Sequence, residues 1–328
     1  MAVDVEALLA GLERSERRAL ARLLTVVEDG RPDQLRQVVS ALYPRTGDAR
    51  VIGVTGSPGV GKSTLTDAVA SQLRAVGRSV AVLAVDPSSP FSGGALLGDR
   101  VRMQGHHADP DVFIRSMASR GHLGGLAFAT PQAVMLMDAA GFDDVIVETV
   151  GVGQSEVEVA ANADTTLVTL APGMGDGIQA AKAGILEVAD VFVINKADHG
   201  GAGQLESELR GMLELGHASA GDEATPGWWP PIVRTVGVRG EGVEQLMAAI
   251  GEHADHLAVS GERDRRARAR VVHAIREIAL EQVRLRFVRF SRGDDPVLEE
   301  LAARVAAREL DPYAAADQLL DALEGGEA

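Results

Sequence analysis

The chain has 328 residues, a formal net charge of -15, 46% hydrophobic and 3% aromatic residues, and no cysteine. That length carries one large α/β domain with helical additions, around a core of mainly Val, Leu, Ile and Ala. The acidic balance argues against nucleic acid or membrane as the main partner, and the lack of thiols excludes disulfides, thiol catalysis and thiolate metal sites.

Residues 3 to about 43 predict helix, because Leu8, Leu9, Leu12, Leu20, Leu23 and Leu24 recur near helical spacing among Glu and Arg. The first stretch, MAVDVEALLAGLERSERRAL, lacks the basic start, apolar core and small-residue cleavage site of a secretory signal. No run of about 18 apolar residues occurs, so no spanning helix is expected, and the expected location is cytoplasmic. The breakers Tyr43-Pro44-Arg45-Thr46-Gly47-Asp48 close this part.

Short apolar runs then alternate with helical segments. Strands are predicted at Val51–Thr55, Val80–Val85, Asp144–Val147, Thr165–Leu170, Val191–Ile194 and Ile232–Val236. Each is rich in Val and Ile and apolar on both faces, the texture of parallel strands covered by helices on both sides. The fold class expected is α/β, a doubly wound, mostly parallel sheet with N-terminal and C-terminal helical extensions. The expected division is 1–45 helical extension, 46–257 nucleotide domain and 258–328 helical arm. In the arm, Val272, Ile275, Ala279, Val283 and Phe287 form a stripe that must pack on its own domain or on a second subunit.

The segment GSPGVGKST holds Gly56, Gly61, Lys62 and Ser63 in the pattern G-x-x-x-x-G-K-[ST], between the apolar run VIGVT and the helical LTDAVASQL. Glycines let backbone N–H groups of Gly56, Ser57, Gly59, Val60, Gly61 and Thr64 turn around phosphate oxygens, and the helix start adds its positive end. Lys62 reaches the β and γ phosphates, and Ser63 offers a hydroxyl to Mg²⁺.

Asp86 and Glu148 lie at the carboxyl ends of predicted strands, where doubly wound sheets bind ligands and a carboxylate can hold Mg²⁺. Glu148-Thr149-Val150-Gly151 is similar to the D-x-x-G of many G proteins, which makes the Gly151 N–H a γ-phosphate sensor. Asp99 sits in a Gly- and Ser-rich stretch suited to a switch over the phosphates.

Asn195-Lys196-Ala197-Asp198 follows the strand VFVI. Guanine shows N1–H and N2–H₂ on one edge, and the Asp198 carboxylate can accept both. Adenine has no such pair, and a site built for those bonds rejects it by about 10⁴ or more. GTP and GDP are therefore the expected nucleotides. The later strand IVRTVG places Val236 and Gly237 as backbone donors to guanine O6.

The segments VIGVTGSPGVGKSTL, VLAVDPSSPFSGGALLGDRVRM, VFIRSMASRGHLGGLA, VIVETVGVGQSE and VINKAD together resemble the MeaB/MMAA-type, or ArgK-like, GTPases. These are chaperones of adenosylcobalamin-dependent methylmalonyl-CoA mutase. The resemblance implies a SIMIBI-type P-loop fold, a homodimer formed through the C-terminal arm, and a nucleotide cycle coupled to cofactor loading and protection of that mutase or a related one. It puts Asp86, Asp99 and Glu148 in the switch and Mg²⁺ regions and Gln154 in the second switch. Gly173 to Lys182 resembles a further, partner-answering switch. There this chain departs from the family's two adjacent lysines and Asp-Glu pair, since Ala183 follows Lys182 and Gly177 follows Asp176.

Gln154, Asp86 and Asp99 are the candidates to orient the attacking water, with Arg100 and Arg120 near the switch-like segments. Slow intrinsic hydrolysis accelerated by a partner is expected. An ArgK-like kinase and a metal-centre maturation GTPase are the alternatives, and His106, His107 and His122 are the residues the latter would use. Trp228-Trp229-Pro230-Pro231 reads as a packed loop. The ten Arg against four acids from Glu262 to Arg292 read as a solvated or dimer-facing helix.

Overall fold

The structure is a computed structural model that describes residues 3–29, 31–87, 104–106, 108–119, 125–149, 155–173, 188–220, 227–290 and 296–325. Helices α1 (Val5–Glu13), α2 (Arg17–Asp29) and α3 (Pro32–Leu42) come first. Asp4 caps α1 by accepting from Ala7 N at 3.0 Å, and Pro32 opens α3 where a missing N–H costs nothing. The alternation that follows is β1 (Arg50–Thr55), α4 (Lys62–Ala75), β2 (Val80–Pro87), β3 (Val112–Ser119), α5 (Gly125–Ala139), β4 (Asp144–Thr149) and α6 (Ser155–Asn162). It continues through β5 (Thr165–Leu170), β6 (Val191–Ile194), α7 (Ala202–Ala220), β7 (Ile232–Arg234) and α8 (Val243–Ser260). Helices α9 (Glu262–Phe290), α10 (Pro296–Ala306) and α11 (Pro312–Gly325) end the described chain.

Among the described residues the strands form one seven-stranded sheet in the order β3-β2-β4-β1-β5-β6-β7, with every pairing parallel. Successive residues of a strand feed opposite layers. Ala81, Leu83 and Val85 join a core with Leu20, Leu23 and Leu24 of α2 and Leu136 of α5. Val80 and Val82 join a second core with Leu65 and Val69 of α4 and Leu246 of α8. Val168, Leu170, Phe192 and Ile194 pack with α7 in a third. The N-terminal helices thus share the core of the sheet.

Six strands are legible in the sequence; the structure adds β3. Arg115 and Ser116 interrupt its apolar run because β3 is an outer strand, and Arg115 pairs with Glu28 of α2 at 2.5 Å. Arg17, also on α2, donates to Asp109 O, Pro110 O and Val112 O and lies over the Phe113 ring. At the other edge β7 stops at Arg234, because Val236 N turns to pair with Glu241 O.

The chain divides into two compact units, Met1–Arg270 and Val271–Ala328, with α1 to α3 and the sheet in the first. Within that unit the start of α9 is held to the amino ends of two strands. Arg266 donates to both oxygens of Asp190 at 2.9 and 3.1 Å, and Arg270 to Asp164 Oδ1 at 2.8 Å. The same carboxylates accept Thr166 N and Val51 N. His253, fully buried, bonds Thr165 Oγ1 through Nδ1 and has Nε2 3.2 Å from Asp190 Oδ1, at an angle that makes no hydrogen bond. Trp228 packs its ring on His253 and His256 and donates to Asp190 O, as the packed-loop reading expects.

Candidate functional site

The chemistry-bearing residues gather at the carboxyl ends of β1, β4, β6 and β7, the crevice side of a doubly wound sheet. β1 runs straight into the phosphate loop and ends beside β4, with Val54 in register with Glu148. Gly56 has φ 137°, and a Cβ there would strike Thr169 O of β5. Gly61 has φ 95° at the N-cap of α4, and a Cβ would meet Asn195 Nδ2 at 2.5 Å. Both positions need glycine for backbone conformation and for close approach.

Lys62 is nearly buried and donates to Gly56 O at 2.5 Å and Ser57 O at 3.1 Å, so its ammonium bridges the loop that it closes. Ser63 donates to Glu148 Oε1 at 2.5 Å. Thr149 Oγ1 donates to Thr55 Oγ1 beneath them, a buried pair that braces β4 against β1. Ser63 and Glu148 thus come together as two hard oxygen donors, which fits Mg²⁺, a cation that keeps several of its waters. Asp86 stands at the carboxyl end of β2, and nothing is described of its side chain. Asp99, Arg100, Arg120, Gly151, Gln154, His107, His122 and residues 174–187 lie outside the described residues. Among the described residues no group of three or more His, Cys, Asp or Glu could hold a metal ion. His106 instead meets Ser71 Oγ at 3.1 Å and Asp67 at 3.4 Å.

The loop after β6 binds this cradle from the side. Asn195, buried, donates to Val60 O at 2.9 Å, and Lys196, at φ 55°, donates to Gly59 O at 2.7 Å. Asn195 Oδ1 accepts from Thr235 Oγ1 at 3.1 Å and from Gly237 N at 3.0 Å. Ala197 N donates to Thr235 O. Three loops are therefore hinged on one amide side chain. Val236 and Gly237 lie where the sequence puts them, but both N–H groups have protein acceptors, Glu241 O and Asn195 Oδ1. A Gly237 bond to guanine O6 requires a shared donor. Asp198 is partly exposed and meets Arg239 Nη1 at 3.1 Å. Thr235 and Arg239 were not singled out from the sequence. Their signal was position alone, in the turn just past the last strand.

A glycine cradle at a helix start, a hydroxyl against a strand-end carboxylate and an Asn-Lys-x-Asp loop beside them define a P-loop GTPase. Comparison with known proteins narrows the class. The family model for the methylmalonyl-CoA mutase-associated GTPase MeaB matches residues 20–291, and the chain belongs to that family. A Pyrococcus abyssi protein designated a GTPase is 44% identical over 323 residues, covering 98% of each chain. The GTPase ArgK of Escherichia coli is 37% identical over 278 residues, covering 83% of this chain and 82% of its own. The mitochondrial methylmalonic aciduria type A homolog of Caenorhabditis elegans is 35% identical over 280 residues, covering 80% and 69%. A solved LAO/AO transport system kinase superposes with TM-score 0.67 at 28% identity, covering 99% of this chain and 100% of that one.

Proposed function

We propose that this GTPase is a chaperone of a B12-dependent acyl-CoA mutase, methylmalonyl-CoA mutase, and couples GTP binding and hydrolysis to cofactor loading and protection of that enzyme. The observation that carries the reading is the match of residues 20–291 to a family described by its association with that mutase. The likeness to the methylmalonic aciduria type A homolog supports the same client.

Phosphoryl transfer to water calls for positioning and charge neutralisation more than covalent chemistry. In this proposal Lys62 offsets charge on the β and γ phosphates, and the N–H groups of Gly56, Ser57, Gly59, Val60, Gly61 and Thr64 cradle them. Ser63 and Glu148, with Asp86 and Asp99, hold Mg²⁺, which when bound neutralises charge on the phosphate oxygens. Gln154, Asp86 and Asp99 are the groups assigned to orienting the water, and Gly151 N–H to sensing the γ-phosphate. Asp198 reads the N1–H and N2–H₂ edge of guanine, while Asn195 and Lys196 hold the reading loop against the cradle. Hydrolysis is slow alone and rises when the client orders the switches.

The quaternary form proposed is a homodimer through the arm, in the cytoplasm. In the second unit Val272, Ile275, Leu280 and Val283 of α9 are exposed apolar side chains, which supports a partner surface there. Light scattering at several concentrations tests the dimer.

The test of function is GTP turnover with and without methylmalonyl-CoA mutase of the same organism. A rise in rate that ATP does not reproduce supports the proposal. No rise, and no complex in the presence of GTP, sinks it. The similarity to a structure named as a transport system kinase favours a second reading, phosphate transfer to a small acceptor. Labelled phosphate appearing on an acceptor rather than in solution would decide for it.

A further inference from the structure

The base-reading carboxylate has a neighbour that the reading above leaves without a role. Arg239 Nη1 donates to Asp198 Oδ2 at 3.1 Å. The same guanidinium donates through Nε and Nη2 to Glu241 Oε1 and Oε2, at 2.6 and 3.3 Å. Glu241 grips one edge of the planar group with a two-bond fork, and the remaining nitrogen is delivered to Asp198. The Glu241 end is itself fixed, because Glu241 O accepts Val236 N at 2.9 Å. The intervening turn Gly237–Arg239 is closed by Gly240 in the left-handed region, at φ 70°. Backbone ties hold the other end, where Ala197 N donates to Thr235 O.

An aspartate's terminal torsion is broad and roughly two-fold, so the backbone alone does not set the plane of the Asp198 carboxylate. Reading guanine requires that plane to meet two parallel donors at once. A carboxylate offers about four acceptor positions. Arg239 takes one on Oδ2 and leaves enough for N1–H and N2–H₂.

We infer that Arg239, held by Glu241, is a positioning residue for guanine: it fixes the plane of the Asp198 carboxylate before the base arrives. This rests on the base-reading role proposed for Asp198. Arg239 does not touch the base; it sets how well Asp198 does. The quantity it governs is the preference for a base with the 2-amino group over one without it. Both side chains are partly exposed, 49% for Arg239 and 32% for Asp198, so the contribution is modest and weakens with salt.

The test is the ratio of dissociation constants for GDP and inosine diphosphate, which lacks the 2-amino group, measured by calorimetry on the full chain with Mg²⁺. Parent, Asp198→Ala, Arg239→Ala, Arg239→Lys and Glu241→Gln are compared. Asp198→Ala abolishes the preference for GDP. Arg239→Ala lowers it by about fivefold, the scale of an exposed ion pair. Arg239→Lys keeps part of it, and Glu241→Gln lowers it less than Arg239→Ala does. General loosening of the loop weakens both nucleotides equally, so an unchanged ratio in Arg239→Ala overturns the inference even where both affinities fall. A raised ratio also overturns it, since Arg239 would then compete with guanine. If Asp198→Ala keeps the preference, the base-reading role itself fails, and the inference falls with it.

Discussion

Asn195 Nδ2 donates to Val60 O at 2.9 Å, so the residue that heads the Asn-Lys-Ala-Asp motif also fastens the glycine-rich loop after β1. Its Oδ1 is occupied on the far side by Thr235 and Gly237. Every polar atom of this buried amide has a protein partner, and removing it strands several of theirs. Asn195→Ala is expected to weaken GDP binding by about tenfold or more, with hydrolysis falling in step. Calorimetry with GDP checks this. An affinity within twofold of the parent would mean that the cradle holds its shape without the amide.

Lys62 spans Gly56 O and Ser57 O, and Ser63 meets Glu148. Replacing Lys62 by Ala removes the group assigned to the γ-phosphate and is expected to lower turnover by about a hundredfold. Ser63→Ala and Glu148→Gln should instead shift the Mg²⁺ concentration needed for half-maximal rate upward. Single-turnover hydrolysis against a Mg²⁺ series separates the two effects. Parent-like turnover in Lys62→Ala would remove this loop from the chemistry.

Asp190 sets an acid limit on the fold. Burial works to raise its carboxyl, but the close contact of His253 Nε2, 3.2 Å away, and the hydrogen bonds and charge of Arg266 outweigh burial and hold it below the usual carboxylate range. A carboxyl lowered on folding adds stability that is complete above its unfolded value of about 3.9 and is lost as pH falls through the folded one. Asp190→Asn should therefore destabilise the protein near neutral pH by about 3 kcal/mol, the cost of breaking a buried pair from one side. The gap between variant and parent should close below about pH 4. Urea unfolding across a pH series reads both, and a gap independent of pH would rule out this origin.

Leu23 is fully buried between α2 and the sheet. Leu23→Ala is expected to cost about 2–5 kcal/mol. Urea denaturation monitored by tryptophan fluorescence, from Trp228 and Trp229, and by circular dichroism should give coincident shifts of the midpoint, because the N-terminal helices share one core with the sheet. A change confined to helical signal would show that they unfold separately.

The sheet was legible wherever a strand is covered on both faces, because burial on two sides selects short runs of apolar and β-branched residues, the buried Thr165, Thr166 and Thr169 among them. Thr165–Leu170 and Val191–Ile194 end where the sequence says. β3 escaped because Arg115 and Ser116 belong to an edge, where a polar residue finds helix α2 rather than a core. The cradle and the Asn195 loop were legible because glycine at Gly56 and Gly61 is forced by neighbours at contact distance. What spacing does not encode is who shares a donor. The commitment of Gly237 N to Asn195, and of Arg239 to both Asp198 and Glu241, arises from loops that meet only after folding.

Arg17 of α2 takes the carbonyl of Val112, the first residue of the outer strand β3, and Arg115 of that strand pairs with Glu28 of α2. A bare strand edge is a template on which another chain can add a strand. α2 precedes β3 in the chain, so during synthesis the helix leaves the ribosome before the outer strand that it will tie down. A version begun at residue 46 would carry the whole nucleotide cradle and still be a poor protein. It would expose one adhesive rim and one uncovered apolar layer, and its expected fate is self-association before it ever turns over a nucleotide.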